Sequence, residues 1–476
     1  MKYARYIIPL LALALFWFLP PPEGLSVDTM RYFGVFLAVA LGLVLESMPG
    51  SVVGLIGICI AASAMLVPQA GGKAATLQSS LRWALSGFSS GVVWLMVVAF
   101  MFAMGYEKTG LGKRIALHLL KRLGKTALGI GYAIAFADLI LGPFIPSSTA
   151  RGGGTIFPIV SNIPPSYGSY PDQDPRKIGC YIMWIGICVT QISSSFFLTG
   201  LAPNLLALSI ARDTVQVTIT WQEWFMAMLP AGVALTMLTP LLTYYIYPPT
   251  EKNFPAVPGW AAAELEKMGP ISQKEIIMAS LAIFALGMWI FGTKLMDSTL
   301  VSLVVLALML IFGVVTWEQV ISNKQAWNMF CWFGTLITLA GGLAQTGFLK
   351  WFATHSTTLM VGLPPMGVAF GVLVLFYFTH YFFAGVTSHA TAQIAIMLTI
   401  GMTIPGMDIK YFTMFLCGSL GIMGILTPYG AAHNTIYFGT GYIKSSTFWL
   451  LGAIFGVFNF AVYALFAVLW MPRVFG

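Results

Sequence analysis

The chain has 476 residues, of which 58% are hydrophobic and 8% are charged. Soluble proteins carry about 25% charged residues, so this composition excludes a water-exposed globule and indicates a polytopic membrane protein. The formal net charge of +8 favours basic segments on the cytoplasmic side of a membrane over the binding of nucleic acid.

Apolar runs of membrane-spanning length recur along the whole chain. At about 20 residues for each crossing, they predict an all-α fold with roughly eleven transmembrane helices. The predicted spans lie near residues 6–22, 30–48, 51–68, 84–105, 178–211, 222–248, 276–293, 299–316, 327–349, 411–438 and 446–471. Two further apolar regions, near 127–163 and 364–404, are interrupted in the middle by small and polar residues.

Lysine and arginine residues predict the orientation of the chain. Six of them cluster between residues 108 and 125, just after the fourth predicted span. The positive-inside rule places this segment, predicted as a loop, in the cytoplasm. Four spans separate it from the N-terminus, which is therefore expected in the cytoplasm as well. The polar segment 249–274 follows two more spans and is the predicted cytoplasmic linker.

The two interrupted regions are predicted to be re-entrant helical hairpins. If residues 127–163 crossed the membrane once, the later basic segments would move to the outside. The number of predicted spans before residues 364–404 places their entry on the outer side of the membrane, opposite to that of the first hairpin. The two halves are then inverted repeats, an organisation typical of transporters. The expected parts are an N-terminal helix (1–29), a first repeat (30–248), the linker (249–274) and a second repeat (275–476).

Each hairpin tip carries small hydroxyl residues close to a basic or potentially basic side chain. Non-helical backbone at membrane depth must be buried or line a cavity. Helix N-termini there offer free amides and positive dipole ends, which suit an anion. The substrate-binding residues expected at the tips are Ser147, Ser148, Thr149, Thr387, Ser388 and His389. Arg151 lies next to the first tip in sequence.

A later span in each half is broken by proline and glycine, which free backbone carbonyls and amides. The first break covers residues 199–204 and the second covers 427–434. The substrate-binding residues expected there are Gly200, Pro203, Asn204, Ala432, His433 and Asn434. Two tips and two breaks in matched order predict a substrate site at the middle of the membrane.

The stretches "PFIPSSTARGGGTIFPI", "FFLTGLAPNLLAL", "VTSHATA" and "LTPYGAAHNTIYFGTGYI" resemble the divalent anion/sodium symporter family, and within it the branch of sodium-independent di- and tricarboxylate exchangers. The resemblance covers nearly the whole chain. It implies an elevator-type transporter that forms a homodimer in the lipid of a bacterial inner membrane. It also implies carboxylate substrates of the succinate, malate, fumarate and 2-oxoglutarate class.

The chain departs from the family pattern where sodium would be held. The family has Ser-Asn-Thr at each tip, whereas here Ser148 and His389 stand in place of asparagine. Our hypothesis is that Arg151 and His389 substitute for sodium ions and balance the substrate's charge. An empty carrier would then keep uncompensated positive charge, which is costly to move and favours exchange. A sodium-coupled symporter for the same anions is the alternative.

Other polar features are given structural roles. Asp138 is expected to form an ion pair or a helix-end contact, and Glu46 to face the cytoplasmic interface. Residues 87–91 match Gly-x-Ser-x-Gly, but they open an apolar span where an enzyme of that kind needs a strand followed by a helix. The five cysteines lack metal-ligand spacing. No enzyme activity, metal or other cofactor is therefore expected.

Overall fold

The computed structural model describes residues 4–45, 47–69, 72–356 and 364–475. Glu46, which is predicted to face the cytoplasmic interface, lies outside the described residues. The secondary structure of the described chain is helical, apart from two isolated β-bridges, Thr126–Asn253 and Tyr170–Gln173. This confirms the all-α prediction.

The helices divide into two groups of twelve along the described chain. The first group is α1 (Ala4–Phe18), α2 (Val27–Val44), α3 (Gly50–Ser63), α4 (Leu77–Leu85), α5 (Gly91–Thr109), α6 (Leu111–Leu123), α7 (Ala127–Leu141), α8 (Phe157–Val160), α9 (Ile163–Ser166), α10 (Gly179–Phe196), α11 (Ala202–Val215) and α12 (Trp221–Ile246). The second group is α13 (Ala256–Met268), α14 (Gln273–Phe291), α15 (Ser298–Ile311), α16 (Trp317–Ile321), α17 (Lys324–Gln345), α18 (Phe348–Ser356), α19 (Pro365–Phe378), α20 (Val386–Met402), α21 (Ile409–Cys417), α22 (Ala432–Phe438), α23 (Ser445–Leu469) and α24 (Pro472–Phe475).

Within the described ranges, 9 helical stretches are long and apolar enough to cross a membrane. Eight of them coincide with predicted spans, and the other, Pro365–Phe382, is the first arm of the second interrupted region. The remaining predicted spans correspond to the shorter apolar helices α1, α3 and α15. The protein is therefore a multi-pass membrane protein.

The basic segment after the fourth span is a helix, so the prediction of a loop there is wrong. Leu111–Leu123 alternates basic and apolar residues with helical spacing and packs its apolar face inward as α6. The linker contributes α13, which lies against α6. Arg114 of α6 bonds both carboxylate oxygens of Glu275, at 2.5 and 3.2 Å, and the carbonyl of Gly269 at 3.1 Å. These bonds fix the linker to the first half of the chain.

Both interrupted regions form helical hairpins. In the first, α7 ends at Leu141 and the following turn contains Pro143 and Pro146, which cannot continue a helix. The chain then resumes as a π-helical segment, Thr149–Ile156, that leads into α8. In the second hairpin, α19 continues as a 3-10 turn over Thr379–Phe382, and α20 begins after Gly385. Gly385 has a φ of 126°, a conformation that favours glycine.

The two broken spans repeat the same local structure. After α10 and a 3-10 turn, the side-chain amide of Asn204 donates to the carbonyls of Ser194 and Phe197 at 2.7 and 3.2 Å. After α21 and its 3-10 turn, Asn434 donates to Gly424 and Thr427 at 2.8 and 3.0 Å. The acceptors lie 10 and 7 residues before the asparagine in both cases. This correspondence agrees with an inverted repeat, whose boundaries stay a prediction.

Helix α10 lies at the centre of the molecule. All of its residues are buried, and it packs against α7, α12 and α22. Protein therefore surrounds its polar residues on every side, so they do not meet lipid.

We expect Gly186→Ala, in α10, to destabilise the protein by about 1–3 kcal/mol, because a methyl group there overpacks the core. A Cβ atom would lie 2.3 Å from the Tyr437 ring, and that ring is held by a 2.9 Å bond from its hydroxyl to the Gly152 carbonyl. The melting temperature in detergent measures the effect. Gly287→Ala in α14 is the control, since nothing lies within 4 Å of a Cβ atom there. Equal melting temperatures for the two variants would contradict the prediction.

Candidate substrate site

A cavity of about 780 Å³ lies where the two tips and the two breaks meet. The first hairpin contributes residues 146–149, and the second contributes residues 384–388. The first break contributes residues 201–203, and the second contributes Tyr429, Ala431 and Ala432. All four elements that the sequence predicts for the site therefore reach one cavity.

The opposite wall of the cavity comes from residues that sequence reasoning missed. Gln325, Met329 and Trp332 lie on one face of α17, and the segment 47–50 lies beside them. The side-chain amide of Gln325 is 3.5 Å from the Ser147 hydroxyl. No motif marks these residues, because their spacing is that of any helix face. Only the fold brings them to the tips.

The predicted substrate-binding residues separate into two groups. Seven line the cavity: Ser147, Ser148, Thr149, Pro203, Thr387, Ser388 and Ala432. The other five lie behind its wall and are buried: Gly200, Asn204, His389, His433 and Asn434. They do not line the cavity in this structure, and their role in substrate binding stays a prediction. The two asparagines turn inward because their amides satisfy carbonyls of the broken helices.

The cavity wall offers free hydrogen-bond donors and carries no ionised side chain among its described lining residues. The hydroxyls of Ser148, Thr149 and Thr387 have no hydrogen-bond partner in the described chain. Ser147 differs, because its hydroxyl accepts from the Ala150 amide at 3.2 Å. The second tip is the start of α20, which has no side-chain cap, so its first amides are free as well. A ligand with acceptor oxygens and negative charge fits such a wall.

Arg151 lies behind the first tip and forms a buried ion pair. The Asp138 carboxylate accepts from its Nε at 2.8 Å, and both side chains are fully buried. Thr190 and Ser193 of α10 also donate hydroxyl hydrogen bonds to Asp138. The Ser194 hydroxyl contacts Arg151 at 2.8 Å. The expected ion pair of Asp138 is thus present, and Arg151 is its partner.

The same guanidinium joins the first tip to the first break. One of its nitrogens donates to the carbonyl of Ile145 at 2.5 Å and to that of Gly200 at 2.8 Å. Because Asp138 compensates its charge, Arg151 does not give the empty carrier a free positive charge. The expectation of uncompensated charge at this residue is therefore wrong.

The histidines of the second half occupy a related position. Nε2 of His380 lies 2.9 Å from the carbonyl oxygen of Gly430 in the second break. Its Nδ1 lies 3.1 Å from Nδ1 of His389. His433 is buried, with its Nε2 3.3 Å from the Ile187 carbonyl. The histidine that contacts the second break is thus His380, and His389 contacts it only through His380.

Paired hairpins and broken helices around a central cavity define a secondary transporter. The family model described as the sodium:sulfate symporter transmembrane region matches residues 1–476. The chain belongs to this family, the divalent anion/sodium symporters. This confirms the resemblance that the tips and breaks indicate.

Relatives of known function and a solved structure agree with the assignment to this family. The L-tartrate/succinate antiporters of Escherichia coli strain K12 and Shigella flexneri are each 43% identical to the chain over 482 residues, with 99% of each sequence covered. The Shigella boydii serotype 4 antiporter is 42% identical. The structure of the Alcanivorax borkumensis YdaH transporter has a TM-score of 0.58 at 12% identity, covering 95% of this chain and 99% of its own. The likeness to YdaH concerns the fold alone.

We expect Asp138→Asn to destabilise the protein by about 3–5 kcal/mol, because it leaves the buried Arg151 charge without a counterion. Thermal unfolding in detergent measures the loss. The double variant Asp138→Asn, Arg151→Gln should lose less stability than the two single variants added together. Lys267→Gln is the control, since Lys267 forms an ion pair with Glu264 while remaining 71% exposed. A wild-type melting temperature for Asp138→Asn would contradict the prediction.

Proposed function

We propose that this protein is a secondary antiporter that exchanges dicarboxylates across the membrane without sodium. The observation that carries the proposal is the convergence of free hydroxyls from both hairpins, together with the first amides of α20, on one cavity without ionised side chains among its described lining residues. The antiporters of Escherichia coli and Shigella, which share 43% of their residues with the chain over 99% of its length, support the same substrate class.

Each tip would bind one carboxylate of the substrate. At the first tip the donors are the hydroxyls of Ser148 and Thr149, since the Ala150 and Arg151 amides of that turn already donate to Ser147. At the second tip they are the Thr387 hydroxyl and the first amides of α20. Hydrogen bonds to an ionised acceptor are short and strong, so two carboxylates on one molecule bind better than one. Succinate, malate, fumarate and 2-oxoglutarate have this form, and the cavity of about 780 Å³ also has room for a tricarboxylate.

Arg151 supports sodium-independent transport. In broken helices of transporters, unwound backbone carbonyls coordinate sodium. Here the carbonyls of Ile145 and Gly200 accept hydrogen bonds from the Arg151 guanidinium. A cation held by these two oxygens would have to displace a buried arginine from its counterion. The same contact disfavours the sodium-coupled symporter as the alternative.

Obligate exchange would follow if the empty carrier is energetically costly to move across the membrane. Without an anion, the free amides and hydroxyls of the tips keep a positive potential that nothing inside the protein balances. Moving this potential across the membrane is unfavourable, so the carrier returns only when it is loaded. We further propose an elevator movement, a homodimer and an inner-membrane location with the N-terminus in the cytoplasm.

Uptake of labelled succinate into proteoliposomes tests the proposal. In sodium-free buffer we expect uptake when the vesicles contain unlabelled dicarboxylate and only background uptake when they are empty, since exchange needs an anion on both sides. Added sodium should leave the rate unchanged. Uptake that requires sodium and ignores the internal anion would establish the symporter instead. Failure to transport any dicarboxylate would contradict the proposed substrate class.

We expect Thr387→Val to raise the KM for succinate by about 10-fold or more. The change keeps the shape of the side chain and removes a hydroxyl, and a hydrogen bond to a charged group contributes about 1.5–3 kcal/mol. Exchange rates over a range of succinate concentrations give the KM. Thr435→Val is the control, because Thr435 also lines the cavity but its hydroxyl already donates to the Ala432 carbonyl at 2.7 Å. Equal effects of the two substitutions would argue against a carboxylate contact at Thr387.

A further inference from the structure

Two buried histidines form a hydrogen-bonded pair behind the second tip. Nδ1 of His380 lies 3.1 Å from Nδ1 of His389, and neither residue is exposed. Nε2 of His380 is 2.9 Å from the carbonyl oxygen of Gly430. Nε2 of His389 is buried and has no hydrogen-bond partner among the described residues. The pair thus ends in one nitrogen that the surrounding protein leaves unsatisfied.

The backbone carbonyl determines the positions of the protons in the neutral pair. A carbonyl oxygen only accepts hydrogen bonds, so Nε2 of His380 carries a proton. A neutral His380 then has a bare Nδ1, which accepts from Nδ1–H of His389. Neutral His389 therefore has its lone pair on Nε2, the atom without a partner.

This arrangement has room for one added proton and no more. A proton on Nε2 of His389 gives an imidazolium whose Nδ1–H still donates to His380, so every existing hydrogen bond is kept. A second proton would have to go to Nδ1 of His380. Two N–H groups would then face each other across 3.1 Å, which replaces a hydrogen bond by repulsion between two cations.

The histidine pair is surrounded by aromatic rings and has no bonded counterion in the described chain. The rings of Phe376 and Phe383 pack against His389, with their centroids 4.6 and 4.7 Å from that of the imidazole. Within the described chain, neither imidazole forms a hydrogen bond or ion pair with a titratable side chain other than its partner. The acidic, basic and histidine residues of the helices packed on α20 are Asp28 and Arg31 on α2, Arg212 and Asp213 on α11, Lys324 on α17, Lys350 and His355 on α18, and Lys410 on α21. The same helices also carry the weakly acidic Tyr32, Cys331, Tyr377, Tyr411 and Cys417.

We propose that the pair of His380 and His389 is a proton-binding site that takes up one proton from solution when an anion binds in the cavity. This inference rests on the proposed anion site. His389 directly follows Ser388, which lines the cavity at the second tip. Negative charge there stabilises an imidazolium behind it, and by linkage the imidazolium strengthens the binding of the anion to the same extent.

Proton uptake turns the histidine pair into a cation only when the substrate is bound. Arg151 cannot supply it, because Asp138 already compensates its charge. A bound dicarboxylate would be accompanied by one proton, which lowers the net charge of the complex that crosses the membrane.

Calorimetry of succinate binding to detergent-purified protein tests the inference. The apparent binding enthalpy is measured at pH 7 in buffers of different ionisation enthalpy, and its slope gives the number of protons taken up. We expect about one proton for each succinate bound, as linkage requires. His389→Gln, whose amide bonds to His380 but cannot take a proton, should reduce the slope to near zero. His118→Gln is the matched control, because His118 is exposed on α6, and it should keep the wild-type slope.

A slope of zero in the wild type, with succinate bound, would overturn the inference and leave the proposed transport function intact. A wild-type slope in His389→Gln would overturn it as well. His389→Leu serves as a second variant if His389→Gln does not fold, and it should lose the proton in the same way because it also removes Nε2 of His389. Absence of succinate binding in every buffer would contradict the proposed function itself, and this inference with it.

Discussion

The interrupted backbone at the two tips and two breaks needs partners for its carbonyl oxygens, and the surrounding structure supplies them from side chains. In a membrane protein such groups cannot rely on lipid. Asn204 and Asn434 each satisfy carbonyls 10 and 7 residues earlier. Arg151 satisfies those of Ile145 and Gly200. Once the carbonyls are bonded behind the wall, the groups that face the cavity are mainly donors, and a cavity of donors selects an anion.

The buried ion pair limits what Arg151 contributes. An isolated guanidinium in the protein interior would be very costly, and Asp138 removes that cost by pairing with it. The pair therefore holds the first tip against the first break without adding net charge near the substrate. In the proposed site the helix N-termini and hydroxyls at the tips attract the anion, while Arg151 holds the first tip in place. A structural cation and a substrate-binding cation look the same in a sequence, and only the position of Asp138 distinguishes them.

The sequence predicts the hairpins and breaks because proline, glycine and small polar residues interrupt otherwise apolar spans. The sequence does not predict the directions of the side chains. Nothing in the local pattern shows that Asn204 turns inward or that α17 supplies Gln325 to the opposite wall. His380 looks like an ordinary core histidine until the fold places it beside Gly430. These contacts join residues distant in the chain, so they depend on tertiary packing, which residue spacing does not encode. The prediction of a loop at α6 was wrong because it considered only the basic residues and not the helical spacing of the apolar residues between them.

The two halves satisfy equivalent carbonyls with different chemistry. Gly200 and Gly430 occupy the same place in the two breaks, four residues before Asn204 and Asn434. Arg151 donates to the first and His380 to the second. An arginine is permanently charged and needs its own carboxylate, which Asp138 provides. A neutral imidazole needs no counterion, and in the described part of the chain no carboxylate lies within hydrogen-bonding distance of His380. The charge state of the first half is therefore fixed, whereas that of the second half can respond to whatever the cavity holds.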